Sequence, residues 1–205
     1  MSKTRLVFSK TGRAVWISHL DLMHTLQRAF SRSGIRLKYS EGFNPHPIMS
    51  IALPLSVGME SNCEILDIKC DNEVDITLLN RALPEGIEIL RAYEAERKPS
   101  EIKWLEVEGY FEGNSPELLG EFFSREEIII SKRTKRGESR LDIKPMIKEI
   151  SFSEGKLHAL ISAQEPTLSP QNLIDALSQN APELCPGYAK FRRVCLYDRD
   201  MKVFE

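Results

Sequence analysis

The sequence predicts an α+β protein built from two tandem ferredoxin-like units, each βαββαβ with an antiparallel sheet, and three observations predict it. Apolar residues alternate at period two and then recur at helical spacing, in the order strand, helix, strand, strand, helix, strand. The same order repeats in the second half. Between the copies, Glu94 to Glu101 turns charged and carries Pro99, which is the composition of a linker. The expected units are therefore residues 1–97 and 98–205.

In the first copy Arg5 to Ser9 reads as a strand. Ser18 begins a helix with Asp21 three residues on, a variant of the capping box, and Gly34 ends it. Leu22, Leu26, Ala29 and Phe30, with Met23 beside them, form its apolar stripe, while His24, Arg28 and Arg32 follow at i, i+4 and i+8 on another face. Ile35–Tyr39, Ile48–Leu53 and Cys63–Lys69 are expected strands. Asp75 caps a short helix through Leu83, and Ile87–Tyr93 closes the copy.

The second copy opens with Leu105, Val107 and Phe111 alternating with Glu106, Glu108 and Glu112, a strand with one wet face. Ser115-Pro116 starts a helix carrying Leu118, Leu119, Phe122 and Phe123. Glu127–Lys132 is an expected strand, and Lys148–Phe152 with Leu157–Ser162 form a hairpin about Glu154-Gly155. Ser169-Pro170 starts a second helix with Leu173, Ile174 and Leu177, and Ala189–Tyr197 is the closing strand.

At 205 residues, 41% apolar and 28% charged, the chain has the composition of a folded, soluble protein. No stretch approaches the roughly 20 apolar residues that span a bilayer, and no long apolar region follows the Met-Ser-Lys-Thr-Arg start. No membrane partner and a cytoplasmic location are the expectations. Cys63, Cys70, Cys185 and Cys195 are dispersed without a C-x-x-C pair, so no local motif holds an iron–sulfur cluster, and neither metal nor cofactor is expected.

Charge is unevenly spread. In residues 1–58 eight Lys or Arg (Lys3, Arg5, Lys10, Arg13, Arg28, Arg32, Arg36, Lys38) face only Asp21 and Glu41, so the segment is +6 in a chain of net −2. A local cationic surface of this kind suits an anionic partner. The Lys10-Thr-Gly-Arg13 turn sits just ahead of a helix N-terminus, which would bring cations and backbone donors together for a phosphate.

Residues 39–48, Tyr-Ser-Glu-Gly-Phe-Asn-Pro-His-Pro-Ile, follow no helical or strand period. Pro45 and Pro47 lack backbone donors and drive Asn44 and His46 into extended conformation, so the loop presents its side chains from a stiff frame. Tyr39, Phe43 or His46 stacks on an unpaired base, or else Phe43 plugs the core and the prolines merely shape a crossing loop. The candidate RNA- or ligand-binding set is thus Lys10, Arg13, Ser18, His19, Asp21, Arg28, Arg32, Tyr39, Ser40, Gly42, Phe43, Asn44 and His46. Lys132, Arg133, Lys135, Arg136 and Arg140 form a second basic run, expected as a loop between strands.

Several chemistries find no support. His19 and His24 lie about 140° apart on a helix and cannot easily share a metal. The G-x-x-x-x-G-K-[ST] phosphate loop is absent, as is G-x-S-x-G. A metal-independent ribonuclease using His19 or His46, with Lys10 or Arg13 at the transition state, stays open as an alternative.

Phe8-Ser-Lys-Thr-Gly12, Ser18-His-Leu-Asp-Leu22, Arg28-Ala29, Tyr39 through Pro47, Ala52-Leu-Pro-Leu55 to Gly58 and Asp142-Ile-Lys-Pro-Met-Ile147 together resemble a bacterial family, the radical-SAM-linked domain of unknown function. The resemblance implies work beside a radical SAM protein, whose cluster would belong to another polypeptide. The expected role is a non-catalytic accessory module presenting an RNA substrate, with a protein adaptor docking on the radical SAM partner as a further alternative.

Overall fold

The computed structural model describes residues 3–112, 115–134 and 137–205, and the chain divides into two compact units, Met1–Pro99 with Glu205 and Ser100–Phe204. The α+β class with antiparallel sheets holds in both.

The first unit runs β1 (Thr4–Lys10), α1 (His19–Arg32), β2 (Met49–Ile51), β3 (Glu60–Ile68), α2 (Ile76–Ala82) and β4 (Ile87–Glu94). β1 pairs antiparallel with both β3 and β4. Leu66, Asp67 and Ile68 pair with β1 and also with β2, so β2 occupies the other edge of β3 and the order is β4-β1-β3-β2. The apolar stripe of α1 buries Leu22, Leu26, Ala29 and Phe30 against Leu6, Phe8, Leu66, Ile68 and Leu79. Its start is capped as expected: the Ser18 hydroxyl accepts the Asp21 N–H at 3.2 Å and donates to the Asp21 carboxylate at 2.7 Å.

Two expected strands differ. Ile35–Tyr39 forms only isolated bridges, Leu37 with Cys70 and Tyr39 with Pro47, because the Arg36 N–H is taken by the Asn72 side chain and no continuous ladder develops. Ile48–Leu53 shrinks to the three residues of β2.

The second unit runs β5 (Trp104–Phe111), α3 (Pro116–Phe123), β6 (Ile129–Thr134), β7 (Gly137–Asp142), β8 (Ile147–Ser153), β9 (Lys156–Ser162), α4 (Gln171–Asn180) and β10 (Ala189–Tyr197). Its main sheet has the order β10-β5-β9-β8, antiparallel throughout. Phe111 packs against Phe152 and Phe191 at 5.9 Å between ring centres, and Phe123 of α3 stacks on Phe152 at 5.5 Å. Glu154 and Gly155, both at positive φ, make the two-residue turn between β8 and β9.

The strand expected at Glu127–Lys132 does not enter this sheet. It pairs with β7 in a separate two-stranded sheet, and the side chains of α4 hold it there. Gln179 accepts from the Ser131 N–H at 2.7 Å and donates to its carbonyl at 3.2 Å, while Asn180 donates to the Ile129 carbonyl at 2.9 Å. The second unit is therefore more than a plain βαββαβ copy: a hairpin is inserted between α3 and β8, where amides on α4 satisfy the edge of β6.

A buried ion pair spans β1 and β3. Arg5 donates to both carboxylate oxygens of Asp67, at 2.7 and 3.0 Å, and also reaches the Arg97 carbonyl at 2.7 Å. Both side chains are buried. Replacing one partner strands the other charge, so Asp67→Ala is expected to cost about 3–5 kcal/mol in urea unfolding, whereas Arg5→Met with Asp67→Leu recovers most of it. A loss below about 1 kcal/mol for Asp67→Ala would show that the pair carries little of this unit's stability.

Candidate functional site

Lys10 corrects the expectation of a surface phosphate ligand. It ends β1 with its side chain in the interior, 1% exposed. Its ammonium donates to the Val15 carbonyl at 3.3 Å and the Ile17 carbonyl at 3.1 Å. Burial lowers its pKa, and the charge of buried Glu64 opposes that shift. The sequence showed a cation in a turn, but the strand that carries it aims the side chain inward.

The two carbonyls belong to a 3-10 turn, Gly12–Trp16, and the residue after it. Arg13 is exposed on this turn, and Trp16 stands 72% exposed between the two anchored carbonyls. Trp16 was not in the expected set, although a tryptophan outside any apolar period is a signal that could have raised it. The turn is held from other sides too. Thr11 donates to the Gly86 carbonyl at 2.8 Å, and a Cβ on Gly86 would come within 2.4 Å of the Thr11 oxygen, so only glycine allows that approach. Gly58 donates to the Val15 carbonyl at 2.9 Å and lies near the edge of the Trp16 ring.

Ser18 and Asp21 serve the α1 cap, each engaging the other. His19 is exposed in the first turn of the helix. Farther along, His24, Gln27, Arg28, Ser31 and Arg32 line one open depression on the exposed face. The i, i+4, i+8 reading of this face holds, with one restriction: Arg32 also donates to the Ala82 carbonyl at 2.6 Å, closing the C-terminus of α2. Ser18 and Arg32 are separated by about 20 Å of helix, so the two ends of α1 serve different places.

The proline loop is a clamped tip. Ser40 and His46 exchange contacts: the Ser40 N–H donates to the His46 carbonyl at 2.9 Å, the His46 N–H donates to the Ser40 hydroxyl at 3.1 Å, and that hydroxyl lies 2.9 Å from His46 Nδ1. Tyr39 pairs with Pro47 across the base, and Ile48 donates to the Lys38 carbonyl at 2.7 Å. Gly42 takes φ +120°, a conformation that other residues rarely adopt, and Asn44 is exposed beside it. Phe43 projects from the tip with 111% relative exposure, so the reading in which it plugs the core is excluded.

The local excess of positive charge is smaller at the surface than in the sequence. Arg5 is consumed by Asp67, Lys10 is internal, and Lys38 pairs with Asp71 at 3.0 Å. Arg13, Arg28, Arg32 and Arg36 remain exposed. In the second basic run, Lys132 is turned to α4, donating to Asn172 at 3.0 Å, and the segment is a hairpin instead of an open loop. Arg140 is exposed, and Lys135 and Arg136 lie outside the described residues.

A titratable cluster in the second unit escaped the sequence reading. On the wet side of β5, Glu106 accepts from the Tyr197 hydroxyl at 2.7 Å and lies 2.8 Å from His158 Nε2. Its members come from three strands and share no local pattern. Burial opposes ionisation of Glu106, but hydrogen bonds from His158 and Tyr197 override it and hold the carboxyl below its ordinary range. The hydrogen bond to Glu106 also pushes the Tyr197 hydroxyl up. Among the described residues, no group of three or more His, Cys, Asp or Glu is placed to hold a metal.

A family model described as an uncharacterized protein conserved in bacteria (DUF2344) matches residues 3–183. The chain belongs to this DUF2344 family. Most of both units falls within the match. No curated protein matches the chain. Among solved structures, a crystal structure of an unknown protein from Galdieria sulphuraria is similar at 13% identity, covering 94% of this chain and 98% of that one, with a TM-score of 0.29. No helix among the described residues is long and apolar enough to cross a membrane.

Glu106 sets a pH dependence. Its carboxyl titrates lower when folded than when unfolded, so its stabilisation is present above the ordinary carboxylate pKa and is lost as pH falls through the lowered folded value. Glu106→Gln is expected to cost about 1–2 kcal/mol at neutral pH and to flatten the acid limb of a stability-versus-pH curve measured by urea unfolding. An unchanged acid limb would assign that pH dependence to other groups.

Proposed function

We propose that the chain is a non-catalytic accessory module that binds an RNA substrate through its first unit and presents it to a radical SAM protein. The observation that carries this reading is the fully solvated Phe43 on a clamped tip. An exposed aromatic ring is costly in water, and three hydrogen bonds with two prolines keep it there; stacking on an unpaired base repays both features. Arg13, Arg28 and Arg36 are exposed cations of the same unit, available to neutralise phosphates. The radical SAM partner rests on the resemblance carried by the motif string from Phe8 to Ile147.

Each unit is further proposed to be a ferredoxin-like element. The shared pairing order, β4-β1-β3-β2 and β10-β5-β9-β8, supports that reading, with β6 and β7 as an insertion. A cytoplasmic location goes with an RNA substrate. The ribonuclease alternative loses Lys10, whose ammonium is turned inward.

Binding to single-stranded RNA is expected to weaken with salt by about 0.7 in log K per log unit for each phosphate contacted. Phe43→Ala is expected to lower affinity about 5- to 150-fold, since stacking is worth about 1–3 kcal/mol per base, with no change in Tm. Fluorescence titration of labelled RNA at several salt concentrations checks both. Salt-insensitive or absent binding refutes the reading, and co-purification of a radical SAM protein that survives nuclease but fails for Arg28→Glu favours the adaptor.

A further inference from the structure

Lys10 and Trp16 pose one question together. A lysine buried to 1% exposure is held below its ordinary pKa by desolvation, and its two hydrogen bonds go to the carbonyls on either side of an aromatic that is 72% exposed. Packing does not require that tryptophan, because most of its ring faces water. Yet the backbone on either side of it is anchored: Lys10 bonds the Val15 and Ile17 carbonyls, Gly58 bonds the Val15 carbonyl, and the turn's entry is tied by Thr11 to the Gly86 carbonyl. The edge of the ring lies near Gly58: a Cβ added there would stand 3.4 Å from Trp16 Cζ3, an ordinary contact. Gly58 takes φ +87°, a backbone shape in which a side chain is strained.

We propose that Trp16 is a second stacking platform for an unpaired nucleobase, and that the buried Lys10 ammonium is the positioning residue that holds it. This rests on the RNA-binding reading above. The chemistry of the turn favours a base. Trp16 leaves most of its side chain in water, exposed Arg13 shares its turn to meet a phosphate, and exposed His19 follows at the start of α1. A platform must keep its ring still before the ligand arrives, or binding is weakened by the cost of ordering it. The bonds to the Val15 and Ile17 carbonyls fix the backbone that carries the ring, and Gly58 lies at the ring's edge.

The assignment gives Lys10 a role that differs from a phosphate contact in a measurable way. A phosphate ligand contributes about 0.7 to the salt slope for single strands, whereas a positioning residue changes affinity and leaves the slope alone. The test uses the full chain with Trp104→Phe, so that Trp16 is the sole tryptophan, and oligoadenylate within the roughly 4–16 nucleotide range of single-strand sites. Trp16 emission is expected to be quenched on binding, and its nanosecond anisotropy to be high even without RNA. Trp16→Ala is expected to weaken binding about 5- to 150-fold, with Trp16→Phe between it and the parent. Lys10→Met is expected to lower the anisotropy of Trp16 and weaken binding at an unchanged salt slope.

Different results overturn different parts. If Phe43→Ala weakens binding and Trp16→Ala does not, the RNA reading stands and the platform falls. If the parent binds no RNA, the reading falls and takes the platform with it. A Lys10→Met slope lower by about 0.7 with unaltered Trp16 anisotropy makes Lys10 a phosphate ligand and refutes positioning. Should Lys10→Met fail to fold, the unmodified Lys10 chain decides: a freely rotating Trp16 ring there refutes the anchored platform.

Discussion

The ammonium of Lys10 is the interaction on which the turn between β1 and α1 depends. A charge removed from water is tolerated only where hydrogen-bond acceptors surround it, and here the Val15 and Ile17 carbonyls do so. Those carbonyls fix the exit from β1, the path of the 3-10 turn and the approach to the Ser18 cap. The end of a strand, an exposed aromatic and the start of a helix are thereby tied to a single atom.

The same economy recurs elsewhere in that unit. Arg5 joins β1 to β3 through Asp67 and takes the Arg97 carbonyl in the segment beyond β4. Arg32 closes the end of α2, and the Ser40 hydroxyl braces the tip that carries Phe43. Polar groups that could have met solvent are spent on backbone atoms, so irregular segments gain fixed shapes without extended ladders. Trp16, Phe43, Arg13, Arg28 and Arg36 stay exposed in this unit, alongside carboxylates such as Asp21 and Glu41. In the second unit, α4 plays the comparable part: its amides satisfy β6 and let a hairpin stand apart from the main sheet.

Local signals were legible wherever a segment's own chemistry decided its structure. The α1 stripe from Leu22 to Phe30, the Ser18 and Asp75 caps, the Glu154-Gly155 turn and the β10 bounds Ala189–Tyr197 all follow from spacing or turn chemistry. The candidate site was legible in its loop, where prolines and glycine dictate a rigid irregular tip, and in the helical face of His24, Arg28 and Arg32. It was misread at Lys10, because charge in a sequence does not reveal which way a strand end turns. The exposure of Trp16 depends on how its turn folds back on β1, although its place outside any apolar period marks it in the sequence.

By itself, then, the sequence determined the α+β class, the positions of the helices and most strands, the cationic bias and the shape of the proline tip, since these follow from contacts among neighbours along the chain. Tertiary structure alone decided which charges reach solvent, where β6 pairs, and how Glu106, His158 and Tyr197 meet from three strands. Those outcomes depend on partners distant in the chain, and desolvation, which sets the fate of a charge, is a property of the packed surroundings and of no local string of residues.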